Sequence, residues 1–239
     1  MLITNGDFMW GTVFDDINKK ALLLKIGDCL AFGNFLADDG NGESAIRVPM
    51  LWHVIGKKGN KLKLLSYFFF GYTGYWALQG GSFQPETWKS TWKETEIRQN
   101  LNNKYFYEYF SESEQNAILT TEVKTKADGS GYIITKDKLY VPALYEIEAI
   151  PEHLKIGRGL YADRSDNGIP TLSLLYCYYW LRDPGKDKEQ NLVVRGYENS
   201  KIVFDSLRHD ADQVGVRTVM WVNAEKIGER RGNWFDKHQ

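Results

Sequence analysis

The chain has 239 residues with 30 Lys and Arg against 31 Asp and Glu, a formal net charge of -1. That balance provides no global basic field for nucleic acid and no acidic tail, and no apolar run reaches the ~18–20 residues of a membrane-spanning helix. The length suits one large domain or two small ones and can bury a substantial core. The compositional bias is aromatic, with 8 Trp, 14 Tyr and 12 Phe. Rings build cores, and they also supply stacking area to binders of sugars and proteins.

From the N-terminus, MLITNGDFMW has neither the basic start nor the long apolar stretch of a signal peptide, so a cytoplasmic protein or a mature secreted form is expected. FMWGTVF and KALLLKIGDCLAFGNF read as strands, and Asp/Gly/Asn-rich Ala37–Ser44 as a turn. IRVPMLWHVI and KLKLLSYFFF are strands joined by a hairpin tip at GKKGN. Pro49 makes the first of these an edge strand or one that begins late. Inside it, one of Trp52 and His53 is expected to face out and the other in. Residues 71–90, rich in Gly, Tyr and Trp without a period, read as a long surface loop.

Two helices follow. In TEIRQNLNNKYF, Ile97, Leu101 and Tyr105 form one apolar stripe, with Thr95 as N-cap. In FSESEQNAILTT, Ser111 and Glu114 have capping-box spacing, with Ala117 and Ile118 facing inward. Glu112 and Glu114 are therefore helix-start carboxylates rather than catalysts. After the turn KADGSG, DKLYVPALYEI reads as a strand running into a helical turn. Residues 151–170 read as loop. TLSLLYCYYWL, QNLVVRGYE, KIVFDSL and GVRTVMWVN read as strands, and 224–239 as a charged tail. The sum is an α+β, mostly antiparallel arrangement in a single domain, 1–239.

Catalytic signatures are weak. His53, His153, His209 and His238 have no metal-ligand spacing, and Cys29 and Cys177 form no CxxC pair and read as free thiols. There is no G-x-S-x-G elbow; residues 56–63 lack phosphate-loop spacing, and 158–168 lack the calcium-loop pattern although a looser calcium site stays open. No cofactor or resident metal is expected. Two arginines stand out, each in an apolar run: Arg182 in YYWLRDPG and Arg217 in GVRTVMW. Either they pair with carboxylates or carbonyls and pin loops to the sheet, with Asp183, Asp205 and Asp210 as candidate partners, or they line a groove for a polar ligand.

An ordered set of short motifs carries a resemblance. Trp52–Ile55, Leu64–Ser66, W-x-x-T-x-I-R-x-x-L-N (Trp92–Asn102), Phe110–Glu114, KLYVPALYEI, YWLRDP, Val193–Gly196 and Gly215–Arg217 together resemble a widespread bacterial family of domains of unknown function, over about residues 25–223. Asn100, Asp183 and Thr218 stand where that family usually has Trp, Ser and Pro. The closing W-L-R, V-x-x-G and G-V-R pattern is similar to C-type-lectin-like folds, including the formylglycine-generating enzyme group. That likeness implies a twisted antiparallel sheet with two or three helices and long loops. The paired cysteines of those enzymes and the calcium-sugar motifs of lectins are missing, so neither activity carries over.

The function expected is a non-catalytic recognition module that binds a carbohydrate or protein ligand, with no nucleic acid and no membrane insertion. Its face would comprise Tyr75, Trp76, Trp88 and Trp92, rimmed by Tyr161, Arg164 and Arg182. Trp180, Arg217 and Trp221 would be structural. The alternatives are an enzyme, hydrolase or oxidase, on the same scaffold, and a structural domain of a phage or surface assembly.

Overall fold

A computed structural model describes residues 21–38, 45–70, 72–73, 92–126, 131–164, 170–176, 178–186, 190–196, 202–208 and 214–227, with the backbone alone for 35–38, 45–48, 72–73, 158–164, 170–176 and 208. The strands are β1 (Cys29–Asp38), β2 (Ala45–Lys58), β3 (Lys61–Ser66), β4 (Tyr72–Thr73), β5 (Ile118–Leu119), β6 (Thr121–Lys126), β7 (Tyr132–Asp137), β8 (Arg158–Arg164), β9 (Pro170–Tyr176), β10 (Tyr179–Pro184), β11 (Gln190–Arg195), β12 (Val203–Arg208), β13 (Val214–Gly215) and β14 (Val219–Asn223). The helices are α1 (Glu96–Asn100), α2 (Phe106–Tyr109), α3 (Glu112–Ala117), α4 (Leu144–Glu148) and α5 (Glu152–Lys155). One sheet runs β1-β2-β3-β14-β5, a second β12-β11-β10-β13-β4, and β6-β7 and β8-β9 are two-stranded ribbons. All pairings are antiparallel except β10 with β13. The fold is mixed α+β, mostly strand.

A contiguous core spans both sheets. It holds Trp52, Leu64 and Val219 from the first and Tyr179, Trp180, Leu181 and Val194 from the second, with Ile97, Leu101 and Phe106 beside them. Side chains of this size stabilise by about 1.5–3 kcal/mol each when fully buried. Ile97, Leu101 and Tyr105 are all buried, as their spacing requires. The helix carrying them is not uniform: a π-helical turn, Leu101–Tyr105, separates α1 from α2, a break to which residue spacing is blind.

The hairpin tip falls where expected, with Gly59 at φ +59 between β2 and β3. Pro49 lies in β2, which has β1 on one side; β3 joins on the other only from Trp52 onward, so the missing N–H removes no second ladder bond. Opposite it, β1 is bulged between Ala31 and Asn34, and Gly33 takes φ +80.

Several expectations are corrected. Trp52 and His53 are both buried, because β2 is covered on both faces: Trp52 enters the main core, while the His53 ring lies tilted, 4.9 Å from that of Tyr67 in a second small cluster. The segment read as loop, 151–170, contains α5 and β8, and β8 exists because it pairs along its whole length with β9. TLSLLYCYYWL is divided between β9 and β10, which belong to different sheets. The strand placed at DKLYVP lies upstream, at β7, and Tyr140 keeps a single bridge to Val219. FMWGTVF, residues 39–44 and the tail from 228 lie outside the described residues.

Candidate functional site

The tetrapeptide Leu181–Pro184 ends β10. Its ladder with β11 is regular to Trp180↔Val193 and resumes at Pro184↔Asn191, so three residues of β10 face one of β11. The bulge frees Arg182 and Asp183 from the ladder, and both turn to the start of α4. The Arg182 N–H donates to Pro142 O at 3.0 Å. Its Nη1 donates to Val141 O (2.8 Å) and to Glu146 Oε2 (2.5 Å). Nε reaches Lys124 O on β6 at 3.3 Å, and Nη2 reaches the Tyr145 hydroxyl at 3.2 Å. The guanidinium also lies 5.4 Å from the Tyr140 ring and 5.8 Å from the Tyr145 ring.

Asp183 completes the grip. Its Oδ2 accepts from Leu144 N at 2.6 Å, and Glu146 Oε2 accepts from Ala143 N at 2.8 Å, so two of the orphan donors at the start of α4 are satisfied. Aspartate is a residue type well suited to capping a helix start. Burial pushes the Asp183 carboxyl above its usual range. Burial pushes Glu146 the same way, but Arg182, Lys63 and the Ala143 N–H outweigh it and hold this carboxyl below the usual range. Lys63 of β3 grips the other oxygen of Glu146.

Around this ion triad stand rings. Tyr140 OH lies 3.5 Å from Glu146 Oε1. Lys63 lies 6.0 Å from the half-buried Trp221 ring. Tyr145 is 59% exposed, so its ring faces water while its hydroxyl is held from beneath by Arg182.

Arg217 forms a second tie. It is fully buried and donates through Nε and Nη2 to Ser66 O (2.9 and 2.8 Å) and through Nη1 to Leu154 O (2.8 Å). Its guanidinium lies 5.2 Å from the Tyr179 ring, and Tyr179 donates to Lys155 O at 2.9 Å. Together they satisfy carbonyls at the end of α5. Burial pushes the Tyr179 phenol up to about 12, with Arg217 opposing.

The W-x-x-T-x-I-R-x-x-L-N motif is a third. Asp137 accepts from Trp92 Nε1 (2.8 Å), Thr135 Oγ1 (2.6 Å) and Arg98 Nε (2.7 Å). Thr95 caps α1 by accepting from Arg98 N, and Asn102 bonds the main chain at Lys138 and Leu139. In the S-x-x-E box, Glu114 accepts from Ser111 N and also from Gly33 N in the β1 bulge.

The nominated residues are therefore distributed as follows. Trp92 is 4% exposed and cannot offer a ring face; its place inside is dictated by the buried acceptor Asp137. Arg182 is also interior, and its carboxylate partner is Glu146, not Asp183, Asp205 or Asp210: Asp183 faces Leu144, Asp205 lies on β12 bonding Ser206 N, and Asp210 lies outside the described residues. Trp180 and Arg217 are buried and Trp221 is half-buried. Tyr161 and Arg164 lie on β8, opposite Ser173 and Pro170, and their side chains, with Tyr75, Trp76, Trp88 and Cys177, lie outside the described residues. Sequence reasoning missed Glu146, Lys63 and Tyr145. The available signal was the helix-start spacing of Ala143 and Glu146 after Pro142.

Cys29 is buried, and its Sγ lies 3.3 Å from His53 Nδ1. Among the described residues no group of three His, Cys, Asp or Glu side chains is placed to share a metal ion, and no helix is long and apolar enough to cross a membrane.

Residues 59–224 match the family described as Domain of unknown function (DUF6273), well over half of the chain. No curated protein and no solved structure matches the chain.

Proposed function

The chain belongs to the DUF6273 family, and from its own geometry we propose that it is a non-catalytic recognition module that binds a protein or carbohydrate surface through exposed aromatic side chains. One contrast carries this reading. The polar residues of the shared motifs (Trp92, Thr95, Arg98, Asn102, Glu114, Arg182 and Arg217) make hydrogen bonds that hold the fold together. Tyr107, Tyr132 and Tyr145 are meanwhile 63%, 69% and 59% exposed. Chemistry needs polar groups released towards a substrate; recognition needs rings on a rigid base.

Tyr145 is the best-prepared ring, since Arg182 orients it before any ligand arrives, which lowers the ordering cost of binding. Trp92 and Arg182 serve the fold from the interior, and Tyr75, Trp76, Trp88 and the side chains of Tyr161 and Arg164, also nominated for recognition, lie outside the described residues. Two mostly antiparallel sheets with few helices and arginine-tied segments also support a C-type-lectin-like scaffold.

The test is binding of the purified, folded chain to glycan arrays and displayed peptides. A ligand whose affinity falls about tenfold on Tyr145→Ala, with little change in melting temperature, supports the reading. Blank arrays with folded protein overturn it.

The enzyme reading has one observation in its favour, the Cys29–His53 contact, which has nucleophile–base geometry. Both side chains are buried, at 4% and 6% exposure, so a substrate cannot reach the sulfur without opening the sheet. Slow alkylation of Cys29 in the native protein, located by mass spectrometry, is expected; rapid alkylation would revive the enzyme.

A further inference from the structure

The ribbon β6–β7 has two unlike faces. Val123, Thr125, Thr135 and Asp137 point inward and are buried. The outward positions are Glu122, Lys124 and Lys126 on β6 and Tyr132, Ile134 and Lys136 on β7, and every one is exposed. The register sets Lys126 opposite Tyr132, Lys124 opposite Ile134 and Glu122 opposite Lys136. Two large apolar side chains, 69% and 54% exposed, thus sit side by side on one strand, each with a lysine directly across from it.

A lone exposed apolar residue is ordinary, but two at adjacent outward positions make a strip. Three lysines against one glutamate make its surroundings positive. The occupant must therefore bring negative charge and apolar contact together. A glycan fits poorly, because Ile134 offers it no hydrogen bond and the lysines offer donors only. Nucleic acid fits poorly too, since a single ring stands on the face and the chain's net charge is -1. An extended peptide fits well: its side chains alternate with period two, as the outward positions of the ribbon do.

We propose that the outer face of β6–β7 docks an acidic protein segment in which Asp or Glu residues are interspersed with apolar side chains. The apolar side chains cover Tyr132 and Ile134, and the carboxylates meet Lys124, Lys126 and Lys136. The inference rests on the recognition-module reading and commits this face of the module to a protein ligand.

A random-peptide phage library selected on the full chain tests it. The expected consensus is rich in Asp or Glu interspersed with Leu, Ile, Val or Phe. A synthetic peptide of that consensus, followed by fluorescence anisotropy, should bind at least about tenfold more weakly to the Lys124→Glu/Lys126→Glu/Lys136→Glu variant and to Tyr132→Ser/Ile134→Ser. Binding should also weaken from about 0.05 M to about 0.5 M salt. All five substituted side chains are exposed, and an unchanged circular dichroism spectrum establishes that each variant is folded. A charge-swapped peptide carrying Lys for Asp and Glu should prefer the triple variant, a gain that unfolding cannot mimic. No selected binder, a consensus without acids, or equal binding by the variants overturns the inference. Glycan binding lost on Tyr145→Ala but kept in the ribbon variants, with no acidic peptide selected, would leave the recognition reading standing and remove this inference alone.

Discussion

Arg182 Nη1 lies 2.5 Å from Glu146 Oε2, and this contact joins the second sheet to a helix that the first sheet also holds. Arg182 comes from β10, Glu146 from α4, and Lys63, on the other carboxylate oxygen, from β3. The ion triad is a three-way junction, and the exposed ring of Tyr145 stands on it.

Removing Arg182 strands a buried carboxylate. Arg182→Met should destabilise by roughly 3 kcal/mol or more, since breaking a buried pair leaves an under-compensated charge. Arg182→Lys keeps the charge, but a single ammonium cannot reach Lys124 O, Val141 O, Glu146 and the Tyr145 hydroxyl together, so a loss of about 1–3 kcal/mol is expected. Urea titration measures both; a loss below about 1 kcal/mol for Arg182→Met would contradict the junction.

The two carboxyls at the start of α4 should respond oppositely to acid. Glu146 has its pKa lowered from 4.5. Its contribution is complete above that value and is lost as pH falls through the lower, folded-state value. Asp183 is raised above 3.8, so its ionised form opposes folding, and the protein gains stability as pH falls through the folded-state value towards 3.8. Glu146→Gln should therefore flatten the acid loss, and Asp183→Asn should steepen it while costing little at neutral pH. Stability measured against pH for the three proteins decides; identical acid limbs would refute the assignment.

Gly33 and Gly59 both have positive φ, +80 and +59, but unequal surroundings. A Cβ at Gly59 would meet nothing within 4 Å, so Gly59→Ala should cost only the backbone term, about 1–2 kcal/mol. At Gly33 the same atom would lie 2.7 Å from Phe110 Cε1 and 3.0 Å from Tyr109 O. Gly33→Ala should cost clearly more, roughly 3 kcal/mol or above, because backbone strain and steric overlap add. Thermal melts of the pair give the ranking.

Tyr179 and Arg217 hold adjacent carbonyls, of Lys155 and Leu154, at the end of α5. Tyr179→Phe should cost about 1–2 kcal/mol by orphaning Lys155 O. A double-mutant cycle with Arg217→Lys should show coupling of about 0.5–3 kcal/mol. Strict additivity would mean that the two ties act separately.

The candidate site was only partly legible in the sequence. Arg182 and Arg217 announced themselves as donors in apolar runs, since a buried guanidinium needs acceptors wherever it lies. Their partners did not: Glu146 is 36 residues from Arg182, and Ser66 is 151 residues from Arg217. Trp92 reads as a stacking ring until Asp137, 45 residues on, claims its N–H.

By itself the sequence determined the mostly antiparallel α+β class and its local signals: Thr95 and the Ser111–Glu114 box as helix starts, the Ile97–Leu101–Tyr105 stripe, and the turn at Gly59. Each rests on residues within a few positions of one another, where spacing is geometry. Tertiary structure alone decided that His53 is buried with Trp52, that 158–164 is a strand, and that Glu146 receives Arg182 and Lys63. Those outcomes depend on which distant strand covers a face or extends a ladder, and local spacing carries no record of that pairing.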